Sequence, residues 1–370
     1  MIYLDHAATT PLRKEAFNVM LPYFAEHAAN ANALYAEGRK ARSAIDQARG
    51  QIADAIHAKS SEIYFTGGGS ESDNWALFGV MRALEGKKHI ITTQIEHHAI
   101  LNACAALESL GYDVTYVPAD QWGRVSPQDI EKAIRPETGL VSVMAANNEV
   151  GTIQPIAEIA RIAHAHGVLM HTDAVQAVGH IPIDVAALNV DLLSMAAHKF
   201  YGPKGIGALY IKNGVKITNL VYGGEQERGL RAGTENTPAI VGMGEALALA
   251  CSEMDGAAQQ IVHLRGLLEN EIMQRMPEAI VNGDREKRLP GTLHVTFPGA
   301  DTNMLLMRLD MEGIAVSAGS ACAAGARERS HVLEAMHVPS GADVRFSLGT
   351  DNDETQIRQT VDTLHRILNG

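Results

Sequence analysis

Between residues 62 and 211, short apolar runs alternate with helical patterns, and that alternation narrows the fold more than any other feature. The runs fall at 62–65, 89–93, 113–117, 140–145, 168–172, 192–195 and 208–211. Ala41, Ala44, Ile45, Ala48, Ile52, Ala55 and Ile56 recur at helical spacing. A second helical pattern is opened by Pro155, lined by Ile156, Ile159, Ala160 and Ala163, and ended by Gly167. Strands alternating with helices predict an α/β fold, with a mostly parallel sheet covered on both faces. After about residue 250 the pattern changes. The spacing predicts a helix over 257–276, strands near 292–297 and 314–317, a helix near 330–336, a strand at 343–346 and a final helix. The expected division is a large domain over 15–250 and a smaller α+β domain built from 1–14 and 251–370.

The chain carries 31 Lys and Arg against 43 Asp and Glu, a net charge of −12. That balance argues against a nucleic-acid partner or an anionic membrane surface. The start, Met1-Ile2-Tyr3-Leu4-Asp5-His6, lacks a basic stretch followed by an apolar core. No apolar run reaches the roughly 18 residues needed to span a bilayer. Cys104, Cys251 and Cys322 form neither a zinc spacing nor a disulfide framework. A reducing cytoplasm is the expected compartment. His97-His98 and His164-Ala165-His166 lack matching carboxylate or cysteine partners, so no metal site is expected.

Four places carry chemistry. Gly67-Gly68-Gly69-Ser70-Glu71-Ser72 follows a strand and opens a helix, the arrangement of an anion cradle; the alternative is a plain tight turn. Asp173 ends a strand at the sheet edge where ligands bind. A carboxylate there can keep a heteroaromatic ring nitrogen protonated, which points to pyridoxal phosphate; the alternative is a helix N-cap. Lys199 follows His198 at the end of the apolar run Leu192-Leu193-Ser194-Met195-Ala196-Ala197, where desolvation favours a neutral, nucleophilic amine. Cys322 stands among small residues in Ser317-Ala318-Gly319-Ser320-Ala321-Cys322-Ala323-Ala324-Gly325, with little to pack against. The thiolate is the reactive form of such a residue. Cys104 and Cys251 lie on helical patterns and read as packing.

These segments, in this order, resemble a group I cysteine desulfurase of the class-V aminotransferase family. The resemblance covers nearly the whole chain. It rests on Tyr3-Leu4-Asp5-His6-Ala7-Ala8-Thr9-Thr10-Pro11, Phe65-Thr66-Gly67-Gly68-Gly69-Ser70-Glu71-Ser72, Glu96-His97-His98, Asn147-Asn148-Glu149-Val150-Gly151, Thr172-Asp173-Ala174-Val175-Gln176, His198-Lys199, Arg231-Ala232-Gly233-Thr234 and the Cys322 segment. It implies a fold-type-I, pyridoxal-phosphate-dependent transferase that works as a homodimer. Gly69 and Ser70 would hold the phosphate, with His198 beside it and Thr234 reaching the partner subunit's phosphate. His97 would stack on the ring and carry protons. Asn148 and Gln176 would contact the ring hydroxyl side, and Asp173 the ring nitrogen. Lys199 would bind the cofactor covalently. Arg345, with Asn148, would meet the substrate, its guanidinium clamping the carboxylate; the residue taken alone reads as a strand salt bridge.

The implied reaction turns L-cysteine into L-alanine, with sulfur taken as a persulfide on Cys322. The persulfide would pass to an acceptor protein such as an iron–sulfur scaffold, or toward tRNA thiolation. Two other readings share the residues. A selenocysteine lyase or related lyase on the same fold would not need Cys322 for turnover. A non-catalytic persulfide relay would pass sulfur from a donor and release no alanine. The chain departs from the family pattern in three places. Ala196 stands where serine is usual, Gly69-Ser70 where Ala-Thr is usual, and Asn30-Ala31-Asn32-Ala33-Leu34-Tyr35 replaces an Asn-Pro-Ser-Ser segment followed by histidine.

Overall fold

The computed structural model describes residues 1–319 and 329–369. β1 (Ile2–Tyr3) opens the chain. The central sheet follows, built from β2 (Ile63–Thr66), β3 (His89–Thr93), β4 (Asp113–Val117), β5 (Thr138–Ser142), β6 (Leu169–Asp173), β7 (Leu192–Ala196) and β8 (Gly207–Ile211). Its spatial order is β2-β8-β7-β6-β5-β3-β4. The pairs β3–β4, β3–β5, β5–β6 and β6–β7 are parallel, while β8 runs antiparallel to both neighbours. β3, β5, β7 and β8 are buried at every position. Helices covering both faces explain why these strands read as continuous apolar runs. The predicted mixed, mostly parallel sheet is the one observed.

Because β2 is antiparallel to β8 as β7 is, the C-terminal ends of β2, β3, β5, β6 and β7 share one edge. The chain leaves β2 into the helix Gly69–Ala83, β3 toward His97, β5 toward Asn148, β6 at Asp173 and β7 at Lys199. Open α/β sheets bind ligands at this edge.

The second assembly contains β9 (Ile280–Asn282), β10 (Thr292–Phe297), β11 (Ile314–Ala315) and β12 (Ala342–Ser347). β12-β10-β9 form an antiparallel sheet, and β11 pairs in parallel with β1. Ile2 and Leu4 therefore pack into an apolar cluster with Leu264, Leu268, Val295, Phe346 and Leu364. The helix expected over 257–276 proves to be the second half of one 39-residue helix, Thr237–Arg275. Its first half is apolar and small on several faces, which hid its period. Those small residues serve close packing: a Cβ on Gly242 would lie 2.5 Å from Met20 Sδ, and one on Gly244 would lie 2.8 Å from Ala48 Cα. Among the described residues no helix is long and apolar enough to cross a membrane.

Candidate active site

Nine of the residues singled out in the sequence line one cavity of about 260 Å³ at the C-terminal sheet edge: Gly69, Ser70, His97, Asn148, Asp173, Gln176, His198, Lys199 and Arg345. A somewhat smaller pocket lies elsewhere, around Arg13, Tyr201 and Glu253, and holds none of these groups. Chemistry therefore selects the cavity at the sheet edge.

Lys199 ends a short 3-10 turn, Ala197–Lys199, that leaves β7. Its Nζ donates to the carbonyls of Ala7 (2.5 Å) and Ala8 (2.8 Å). Gln176 Nε2 donates to the same Ala7 carbonyl at 3.0 Å. The amino-terminal segment thus crosses the cavity and gathers both side chains. Behind Lys199, His180 bonds the Lys199 carbonyl at 2.8 Å. Burial holds the His180 pKa below its ordinary value, so the ring is neutral and donates from Nε2.

Asp173 is buried and ends β6. The N-cap alternative does not apply, since no helix follows. Its Oδ1 instead accepts from the Val175 N–H at 2.9 Å, which leaves Oδ2 for a ligand. Burial pushes its carboxyl up to about 6, against the opposing pull of the Val175 amide and Lys199. A cationic ring nitrogen would lower it again.

His97 caps the helix His98–Ser109, its Nδ1 accepting from the Ala99 N–H at 3.1 Å. Nδ1 therefore carries no proton, and the neutral ring holds its proton on Nε2. Burial first, and then Lys199, hold its pKa down to about 4. His198 is lowered to about 4 by the same two causes, and its Nδ1 lies 3.2 Å from Thr9 Oγ1.

Gly69 begins the helix Gly69–Ala83. A Cβ there would meet Val175 Cγ2 at 2.7 Å and Ala196 Cβ at 3.5 Å. Two departures from the family pattern, Gly69 and Ala196, thus face each other across one wall. Asn148 Oδ1 is buried without a hydrogen-bond partner. Such an orphan is costly unless a ligand supplies a donor.

Arg345 does two jobs. Its Nη2 pairs with Asp5 Oδ1 at 2.8 Å, the salt bridge anticipated for the residue alone. Its Nη1 donates to the carbonyls of Asn148 (2.8 Å) and Gly319 (2.5 Å). Nε is buried and unpartnered. The guanidinium is therefore held in place before any substrate carboxylate arrives.

Thr234 is exposed and does not line the cavity of its own chain. Cys322 lies outside the described residues. The segments on either side of it reach the cavity at Gly319 and His331. Ser330 Oγ donates to Glu149 at 2.5 Å.

Sequence reasoning missed Asp73, Glu149 and His331, all in the cavity wall. Asp73 sits four residues after Gly69, hence on the same helical face, a spacing that could have flagged it. Its Oδ1 is orphaned, and burial raises its pKa well above normal, as does nearby Asp173. His331 arrives from the far end of the chain and leaves no local signal.

The cavity fits pyridoxal phosphate. It offers a helix N-terminus for an anion, an amine, a buried carboxylate for a ring nitrogen and an orphaned amide oxygen for a ring hydroxyl. Bound there, the cofactor would supply an aldehyde for amine capture and an electron-withdrawing ring.

Comparison with known proteins agrees with this chemistry. Residues 2–360 match the family described as aminotransferase class-V. A cysteine desulfurase IscS of Dictyoglomus turgidum is 49% identical over 99% of this chain and 94% of its own length. One of Methanosarcina thermophila is 48% identical over 99% and 92%. Among solved structures, a NifS-like protein matches with a TM-score of 0.94 at 39% identity, covering 100% of this chain and 99% of its own. A second, described as SspA in complex with cysteine, gives 0.84 at 39% identity over 95% and 99%. A lysine and a buried carboxylate in one cavity, together with this likeness along the full chain, lead to one assignment: the chain belongs to the class-V aminotransferase family, among the cysteine desulfurases, which are pyridoxal-phosphate-dependent enzymes.

Proposed function

We propose that this chain converts L-cysteine to L-alanine and takes the sulfur as a persulfide on Cys322. The observation that carries the reading is the convergence of Lys199, Asp173 and His97 in one cavity whose wall also includes Gly319 and His331, on either side of the Cys322 segment. Lys199 Nζ is the amine that holds the cofactor and the group that moves the proton at the substrate Cα. Asp173 keeps the ring nitrogen charged. His97 stacks on the ring; to accept a proton at Nδ1 it must first release the Ala99 amide. Gly69, Ser70 and His198 hold the phosphate, joined by Thr234 from a second copy of the chain. Asn148 and Gln176 face the ring hydroxyl, and Arg345 takes the substrate carboxylate.

The Cys322 thiolate attacks the substrate sulfur. A sulfur–sulfur bond forms, the substrate carbon–sulfur bond breaks, and its electron pair stays with the carbon that becomes the alanine methyl group after protonation. The thiol of Cys322 and L-cysteine thereby become persulfide and L-alanine, with atoms and electrons in balance. The persulfide then serves an acceptor protein, such as an iron–sulfur scaffold or a carrier for tRNA thiolation, in the cytoplasm. We read the chain as a homodimer of two-domain subunits, with a cofactor-binding domain over 15–250 and a small domain from 1–14 and 251–370. Separate apolar clusters support the division, although Leu289, Val332 and Leu333 join the larger one.

Mass spectrometry tests the assignment. After incubation with L-cysteine, the peptide containing Cys322 is expected to carry one added sulfur while alanine accumulates. Sustained alanine release with Cys322 unmodified throughout would contradict it, and a relay protein would release no alanine.

A further inference from the structure

The chamber where the phosphate would lie has an electrostatic problem. Its lining includes Gly67, Gly69, Ser70, His198, Lys204 and one carboxylate, that of Glu71. Glu71 stands in the first turn of the helix Gly69–Ala83. It folds back over the glycine turn, its Oε2 accepting from the Gly67 N–H at 2.7 Å. A Cβ at Gly67 would sit 2.7 Å from that oxygen, so a larger residue there would displace the Glu71 carboxylate from this position. An acid in a first turn uses the positive field that an incoming anion also needs. His198 is neutral because burial and Lys199 hold its pKa down to about 4. Within that lining Lys204 and Glu71 therefore offset each other, so the carboxylate weakens the attraction for a phosphate dianion.

Arg231 answers this from outside the lining. Its Nε lies 2.8 Å from Glu71 Oε1 and its Nη2 lies 3.1 Å from Oε2, a two-pronged pair. Both side chains are about one-quarter exposed, at 25% and 23%. We propose that Arg231 is a positioning residue for the cofactor phosphate: it neutralises Glu71 at the helix N-terminus and so leaves the cradle open to an anion. The same pair ties the segment bearing Thr234 to that helix. This rests on reading the cavity as the pyridoxal phosphate site.

Two substitutions that break the same salt bridge are expected to differ in effect. Arg231→Ala exposes a bare carboxylate to the phosphate. Glu71→Gln leaves a bare guanidinium beside it. Apoprotein is titrated with pyridoxal phosphate, and separately with pyridoxal, which lacks the phosphate, each followed by absorbance. Arg231→Ala is expected to weaken pyridoxal phosphate binding about tenfold, the size of one charge-assisted pair. Glu71→Gln is expected to leave binding unchanged or tighten it. The double variant should recover most of the loss, and all variants should bind pyridoxal as the parent does. Equal weakening by the two single substitutions would reduce the pair to a simple tie and overturn the proposal, as would an equal loss of pyridoxal affinity. If the parent chain bound neither compound, the cofactor reading itself would fall. Melting of each apoprotein identifies any variant that fails to fold; Arg231→Lys, which keeps the charge without the fork, then takes the place of Arg231→Ala and should retain more than half of the parent affinity.

Discussion

Ala196 puts a methyl group into the cavity wall where the family pattern has a hydroxyl, and it is almost fully buried, at 1% exposure. Restoring the hydroxyl with Ala196→Ser is expected to tighten cofactor binding by one hydrogen bond, about 0.5–1.5 kcal/mol. Weaker retention on dialysis would contradict that placement. Lys199→Ala is expected to abolish turnover together with the visible band of the protein-bound cofactor; an unchanged spectrum would reject Lys199 as the anchoring amine. Buried titrating groups set a pH dependence. Burial pushes Glu96 up from 4.5 to about 8, so the folded chain keeps a proton that the unfolded chain loses first. Its contribution to stability is full below 4.5 and is lost as pH rises toward about 8. His97, His198 and His294 are held down from 6.5 to about 4, and stability is lost through them as pH falls across that interval. Glu96→Gln should therefore raise the apoprotein melting temperature at pH 8 and leave it unchanged at pH 5; an equal shift at both would refute the assignment. Asp173 and Lys199 were legible in the sequence because the first ends a recognisable strand and the second follows one within three residues. The Arg345–Asp5 pair was not, because its partners lie at opposite ends of the chain.

At the scale of elements, β2 shows how side chains close a sheet edge. On one side it pairs with β8. On the other, Arg49 Nη1 (2.8 Å) and Arg228 Nη2 (2.6 Å) donate to the Ile63 carbonyl, and Glu227 accepts from the Phe65 N–H at 2.9 Å. Arg49 and Glu227 complete a buried two-pronged pair at 2.6 and 2.8 Å. Unpaired edge groups invite pairing with other chains, and this arrangement occupies them. Glu227 and Arg228 adopt positive φ values of 45° and 59°, a costly conformation that the pair holds in place. Arg49→Met is expected to lower unfolding stability by roughly 3–5 kcal/mol in urea titration, the cost of stranding a buried charge. Adding Glu227→Gln should recover part of it; a double variant worse than the single would contradict the pairing. The sequence pattern revealed β3 and β4 with their observed bounds, since both alternate with clear helices. It missed β1 and β9, which are too short to show a period, and the first half of Thr237–Arg275, where small residues pack on several sides.

For the whole molecule, the segment bearing Thr234 sits beside a group of exposed apolar residues. Glu235 accepts from Arg42 (2.6 Å) and Asn32 (3.2 Å), which fixes that segment near Leu34 and Tyr35, exposed at 91% and 59%. Phe17, Leu21 and Phe24 add further exposed apolar surface. Sedimentation is expected to report a dimer, and Leu34→Asp with Phe24→Asp should yield monomers that retain cofactor poorly; monomers with full cofactor affinity would contradict a shared site. The division of labour between a fixed cavity and a separate thiol is the center of the account. Its most direct test is alanine release from L-cysteine by Cys322→Ala carrying a full complement of cofactor. Catalytic turnover is expected to be lost while the cofactor spectrum stays intact. Alanine release at the parent rate would contradict it.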